Sequence, residues 1–207
     1  FVKGDTGGHR KPPFEDFEFR TTAPAREEAV KKLVALIDKL GELMRLTLAP
    51  RVSGGVFSPS SVPLEFATCL LQTVEACASQ PDLLLERAAA VTSRLLPPLA
   101  DAVAGGSVSE LRFQALRTIG DLLGPILSTP GTYDAYAREV ADACVLRLGP
   151  VYSDLLSDEE PIPLCTLKLL GSLMERDAAR YAVAAARSGL IPHFVSFLSV
   201  SSMLCNV

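Results

Sequence analysis

Apolar stretches at helical spacing recur along this chain, and each is closed by a short break rich in Pro, Gly or Ser. Read from those breaks, long helices begin near residues 25, 61, 82, 108, 132 and 161. Residues three and four apart share one face of a helix, so each stretch predicts a single buried stripe. A unit of that length cannot bury its stripe alone. Stacked on the next unit it can, and the stack then grows in one direction around a continuous core. The spacing therefore predicts an all-α solenoid. Six or seven helices wrapped round one centre, a closed bundle, are the alternative.

Composition agrees with packed helices. Apolar residues make up 48% of the 207 and aromatics 6%, with no Trp. Leu and Ala dominate, which suits aliphatic ridges seated in aliphatic grooves. Alternation at period two, the mark of a half-buried strand, is almost absent. The net charge of −4 argues against a surface for nucleic acid or an anionic membrane. No apolar run approaches the roughly 18 residues needed to span a bilayer. Five Cys stand at 69, 77, 144, 165 and 205, with no CxxC spacing, and only His9 and His193 are there to join them. That predicts no zinc site and no other cofactor. An odd Cys count in a chain this size, with no signal peptide in view, predicts the reducing cytoplasm. The chain begins with Phe1 and stops within an apolar stretch, so it reads as a piece of something longer.

Taken in order, residues 1–22 read as a polar arm with four basic and four acidic side chains. Its large apolar groups are Phe14, Phe17 and Phe19. The arm is either loosely attached or docked through these three. The domain proper is expected over 23–207, truncated at its C-terminal end. Thr22 to Leu48 carries the first stripe: Val30, Leu33, Val34, Ile37, Leu40, Leu43, Met44 and Leu48. Ala49 to Pro59 reads as a loop. The second helix follows Ser60 or Ser61 with Leu64, Phe66, Leu70, Leu71, Val74 and Cys77. A third opens at Pro81-Asp82 and is expected to break or kink at Pro97-Pro98. The fourth starts at Ser107 or Ser109, with Glu110 placed for a capping box on Ser107. In it, Ala115 and Gly120 are expected to let a neighbouring backbone come close. The fifth follows the turn Pro130-Gly131 and is interrupted at Gly149-Pro150.

The clearest unit is the last, Glu160 to Val200. Pro161 and Pro163 suit the first turn of a helix, where a missing N–H costs nothing. Leu164, Leu167, Leu170 and Met174 form the stripe, widened by Leu169 and Leu173. Asp177 is placed to cap a short helix, Ala178–Arg187. Gly189 is free to take the left-handed conformation that ends it. Here the residues resemble a known pattern. "SGLIPHFVSFLS" (Ser188–Ser199) looks like the glycine start of an armadillo repeat, and "PLCTLKLLGSLMERD" (Pro163–Asp177) like the long last helix of the repeat before it. Pro161–Leu198 is also similar to the helical C-terminal region of the Fused-like branch of the Unc-51-like kinases, of the fourth-member, pseudokinase type. The resemblance implies a right-handed α-solenoid of divergent armadillo/HEAT-like repeats. It also implies a regulatory, scaffolding region beside a kinase or pseudokinase domain, linked to microtubules, cilia or cell division.

No kinase signature stands in the chain itself: no Gly-rich phosphate loop, no His-Arg-Asp, no Asp-Phe-Gly. "DTGGH" near the start lacks the Lys and the helix of a phosphate loop. His193 has no partner at triad or metal spacing. Asp158, Glu159 and Glu160 favour the N-terminus of the helix they precede. The expected role is a non-catalytic protein-interaction module whose partners are other proteins or peptides. Arg112 and Arg117 lie off the stripe of the fourth helix, either as a solvated face or as groove residues for an acidic peptide. Phe194 and Phe197, in the unfinished last stretch, are the candidates for self-association.

Overall fold

The predicted stripes become helices, and the helices pair into two packed layers. The computed structural model describes residues 23–48, 51–53, 56–58, 63–105, 108–187, 189–192 and 195. The expected arm, residues 1–22, lies outside these, as do Phe194 and Phe197.

Helix α1 (Ala23–Thr47) buries Ile37, Leu40 and Met44, and Leu48 is buried just past its end. Its solvent side carries the i,i+4 pairs Glu27–Lys31 and Glu28–Lys32, at 3.0 and 3.3 Å. A two-stranded antiparallel hairpin follows, β1 (Arg51–Ser53) against β2 (Val56–Ser58), with Val52 opposite Phe57. Then come α2 (Leu64–Ala78) and the short α3 (Pro81–Glu86). Helix α4 (Ala88–Ala90) passes through a wide π turn, Val91–Leu95, into α5 (Leu96–Ala104). Helix α6 (Ser109–Ser128) is followed at once by α7 (Pro130–Ala141), bent at Tyr136. A second π turn, Asp142–Arg147, and a tight turn at Gly149–Val151 lead into α8 (Tyr152–Leu156). Helices α9 (Ile162–Arg176) and α10 (Ala178–Arg187) follow.

Helices α2, α6 and α9 lie side by side in one layer. Behind them, α1 packs on the π turn after α4, and α5 packs on the π turn after α7. Helix α10 joins this second layer through Arg180, which donates to the Ala137 carbonyl at 2.9 Å. The result is an α-solenoid, with the core between the layers. Its most enclosed side chains include Leu71, Leu95, Leu99, Leu116, Ile119, Leu122 and Leu123. Three buried hydroxyls satisfy themselves locally. Thr92, Thr118 and Thr166 donate to the carbonyls of Ala88, Gln114 and Ile162 at 2.8, 2.8 and 2.9 Å.

Several local expectations need correction. The 49–59 loop carries the hairpin. Pro97-Pro98 breaks nothing: the rod runs from Ala88 to Ala104, and the break falls earlier, at Arg87 (φ −122°, ψ 21°). In an α-helix the two rings would clash with the carbonyls of Ser93 and Arg94. The π turn widens the backbone just ahead of them, with the Leu96 N–H bonded to Val91. Pro130-Gly131 is the first turn of α7 rather than a separate turn, since proline is at home there. Val108 directly precedes α6 with no side-chain cap bond, and Ser107, the residue expected to form the capping box, lies outside the described residues. Leu43, Leu64, Phe66 and Leu164, counted in the stripes, are exposed. In α9 the buried face is Ile162, Thr166, Leu169, Leu170 and Leu173, rotated from the expected one. Two expectations match the structure closely. The Arg180 N–H bonds the Asp177 carboxylate at 3.2 Å, capping α10, and Gly189 takes φ +71°.

Candidate functional site

Among the described residues, a trough with an apolar floor and charged walls lies between neighbouring helices α6 and α9. It encloses about 490 Å³. Its floor is apolar, from Leu116, Leu123, Leu127 and Leu169. Its α6 wall is Phe113, Arg117, Gly120, Asp121 and Gly124; its α9 wall is Cys165, Lys168 and Ser172. These positions recur at three and four residues because the faces that build the core leave the adjoining faces to line the seam.

Gly120 and Gly124 make the trough. A glycine inside a helix costs about 1 kcal/mol relative to alanine. Proteins often accept that where two backbones must touch, as expected for Gly120. The structure shows otherwise: a Cβ built on Gly120 or on Gly124 meets nothing within 4 Å. The close approach belongs to Gly41 instead. There a Cβ would lie 2.7 Å from the Arg94 carbonyl oxygen, so only glycine lets α1 settle on the π turn. That is the carbonyl to which Pro98 cannot donate.

The charges on the trough are unevenly matched. Arg117 pairs closely with Glu75 of α2 and reaches Asp121 only at 3.9 Å. Burial holds the Asp121 carboxyl above its ordinary range, Arg117 works against the rise, and Glu75 adds to it. Lys168 makes no ion pair among the described residues. The Cys165 thiol is also pushed up, chiefly by burial.

Arg112 and Arg117 do not share a binding face. Arg112 reaches back to Asp158 at 2.6 Å, with side-chain exposures of 21% and 12%. It anchors the acidic turn before α9, and the neighbouring Glu159 N–H bonds the same Asp158 carboxylate at 2.9 Å. Arg117 does line the trough, although an intramolecular acid already holds it. The sequence reading missed Gly124, Asp121 and Lys168. Their signal was the GDLLG spacing, two glycines one helical turn apart in an otherwise good helix.

A second polar cluster ties the last unit to the one before it. The Tyr133 hydroxyl donates to Asp177 at 3.2 Å and lies 3.4 Å from that of Tyr181. The Arg176 guanidinium stacks 4.9 Å above the Tyr133 ring and donates to Asp134 at 2.8 Å. Burial raises the pKa of both tyrosines, most strongly Tyr181, so they stay neutral donors. The cluster packs and orients; it presents no nucleophile. Among the described residues no group of three or more His, Cys, Asp or Glu is placed to hold a metal ion. None of their helices is long and apolar enough to cross a membrane.

Set against known families, residues 19–181 match the family model described as serine/threonine-protein kinase ULK4-like, HEAT repeats. No curated protein matches the chain, and no solved structure does.

Proposed function

The chain belongs to the family of ULK4-like HEAT repeats, and on that premise we propose that it is a non-catalytic protein-interaction module whose docking site is the α6–α9 trough. The observation that carries this reading is the vacant glycine wall. Helix α6 accepts two destabilising glycines, and nothing in the described chain fills the space they leave. Stacked helix pairs offer extended surfaces of this kind to peptides and helices of other proteins. The family description names a kinase, so the module is read as the regulatory region of a larger kinase-like protein, acting as a scaffold. On the resemblance to the Fused-like branch, its expected place is the cytoplasm, at the cytoskeleton or cilium.

The test is photo-crosslinking in cells. A photoreactive residue at Ser172, inside the trough, should give discrete adducts with other proteins. The same residue at Leu146, exposed on the far layer, should not. Equal adduct patterns from both positions, or none from Ser172, would contradict the reading.

A second reading, self-association through the final stretch, rests on Ile191 and Val195. These lie one helical turn apart and are 55% and 57% exposed. Phe194→Asp with Phe197→Asp should then lower the mass measured by light scattering. An unchanged mass would remove this reading.

A further inference from the structure

We infer that Ser157, in the turn between α8 and α9, is a phosphorylation site for an acid-directed serine/threonine kinase, which transfers the γ-phosphoryl group of ATP to its hydroxyl. The sequence supplies the first argument. Ser157 is followed by Asp158, Glu159 and Glu160, and nowhere else in the chain does a Ser or Thr precede three acids in a row. A kinase with a basic substrate groove selects its acceptors by such charge patterns.

The fold supplies the second argument. A kinase needs a hydroxyl in solvent and a segment that it can draw into its groove without opening a core. Ser157 stands at the C-terminal end of α8 and is exposed. Its hydroxyl donates to the Ser153 carbonyl at 3.0 Å, a bond on the surface. Leu156 and Ile162 are buried, whereas Ser157, Glu159, Glu160 and Pro161 between them are exposed. Glu159 and Glu160 make no ion pair among the described residues, so both are free to be read. Asp158 alone is withdrawn from solvent, held by Arg112 at 2.6 Å. That pair is the side-chain tie that must open for the turn to enter a groove. In the transfer, the Ser157 Oγ–P bond forms as the bond to the ADP oxygen breaks, and the hydroxyl proton passes to a base of the kinase.

The test incubates the whole folded chain with casein kinase II and magnesium ATP and maps phosphopeptides by mass spectrometry at early times. The expected product carries one phosphate, on Ser157, and Ser157→Ala removes it. Glu160→Gln should slow the initial rate at least about tenfold, as loss of a charge-assisted contact does. Arg112→Ala, checked for its fold by circular dichroism, frees Asp158 and should speed the reaction severalfold. Ser79 and Ser172 also have an acid three residues on, Asp82 and Glu175, and serve as internal controls. The Ser157 phosphopeptide should also be recovered when the chain is expressed in cultured cells with phosphatases inhibited. No phosphate on Ser157 in either setting, equal labelling of Ser79 or Ser172, a rate unchanged by Glu160→Gln, or a rate lowered by Arg112→Ala would overturn the inference.

Discussion

At the scale of single residues, burial decides which groups are inert and which pairs matter. The Cys144 thiol is enclosed, and burial alone pushes its pKa up to about 12. Cys69, on α2, is exposed. Iodoacetamide at pH 8 followed by peptide mass mapping should label Cys69 in the folded protein and Cys144 only on unfolding, since thiolate and access are both required. Equal labelling rates would contradict the packing around Cys144. The arginines separate in the same way. Arg112→Ala leaves Asp158 half-buried without its partner and should cost about 1–3 kcal/mol. Arg117→Ala breaks an exposed pair and should cost less than about 1 kcal/mol. Urea unfolding measures both, and a larger loss for Arg117 would reverse the assignment. Neither role was legible in the sequence. Asp158 and Glu75 stand 46 and 42 positions from their partners, and only the stack brings them together.

At the scale of elements, the helices were legible because each buries one stripe and each break carries Pro, Gly or Ser. Their details depended on backbone adjustments that periodicity does not encode. Pro97 and Pro98 read as a break because a regular helix cannot hold them; a π turn can. The hairpin was written in RVSGGVFS, where a Gly-Gly pair separates two short runs, the ordinary signal for a two-residue turn. Its short runs were absorbed into a loop. In α9 the wider flank of the stripe, Leu169 and Leu173, faces the core, because α6 and α8 approach from that side. Gly41 states the close approach of α1 to the π turn as a testable quantity. Gly41→Ala forces its methyl against the Arg94 carbonyl and should destabilise by about 1–3 kcal/mol in spite of alanine's better helix propensity. A gain in melting temperature would show that α1 does not sit there.

At the scale of the molecule, the spacing of helices pointed to a stack and left a closed bundle as the alternative, and the family match over residues 19–181 agrees with the stack. Successive units are tied across their seams. Arg147 pairs with Asp101, and Arg94 with Asp38 at 3.6 Å, in the second layer. Arg117 pairs with Glu75 in the first layer. The trough is a property of this stacking, because it exists only where α6 and α9 run side by side with glycine facing outward. That makes stability and binding opposed quantities here. Gly120→Ala with Gly124→Ala should stabilise the chain by about 1–2 kcal/mol in total, because each methyl enters open space and alanine suits a helix. The same methyls narrow the trough. The most direct measurement is therefore the melting temperature of this double variant together with its adduct yield from the photoreactive residue at Ser172. A higher melting temperature with a clearly reduced adduct yield is the predicted result. A more stable variant that crosslinks as well as wild type would contradict the claim that the glycines hold the site open for a partner.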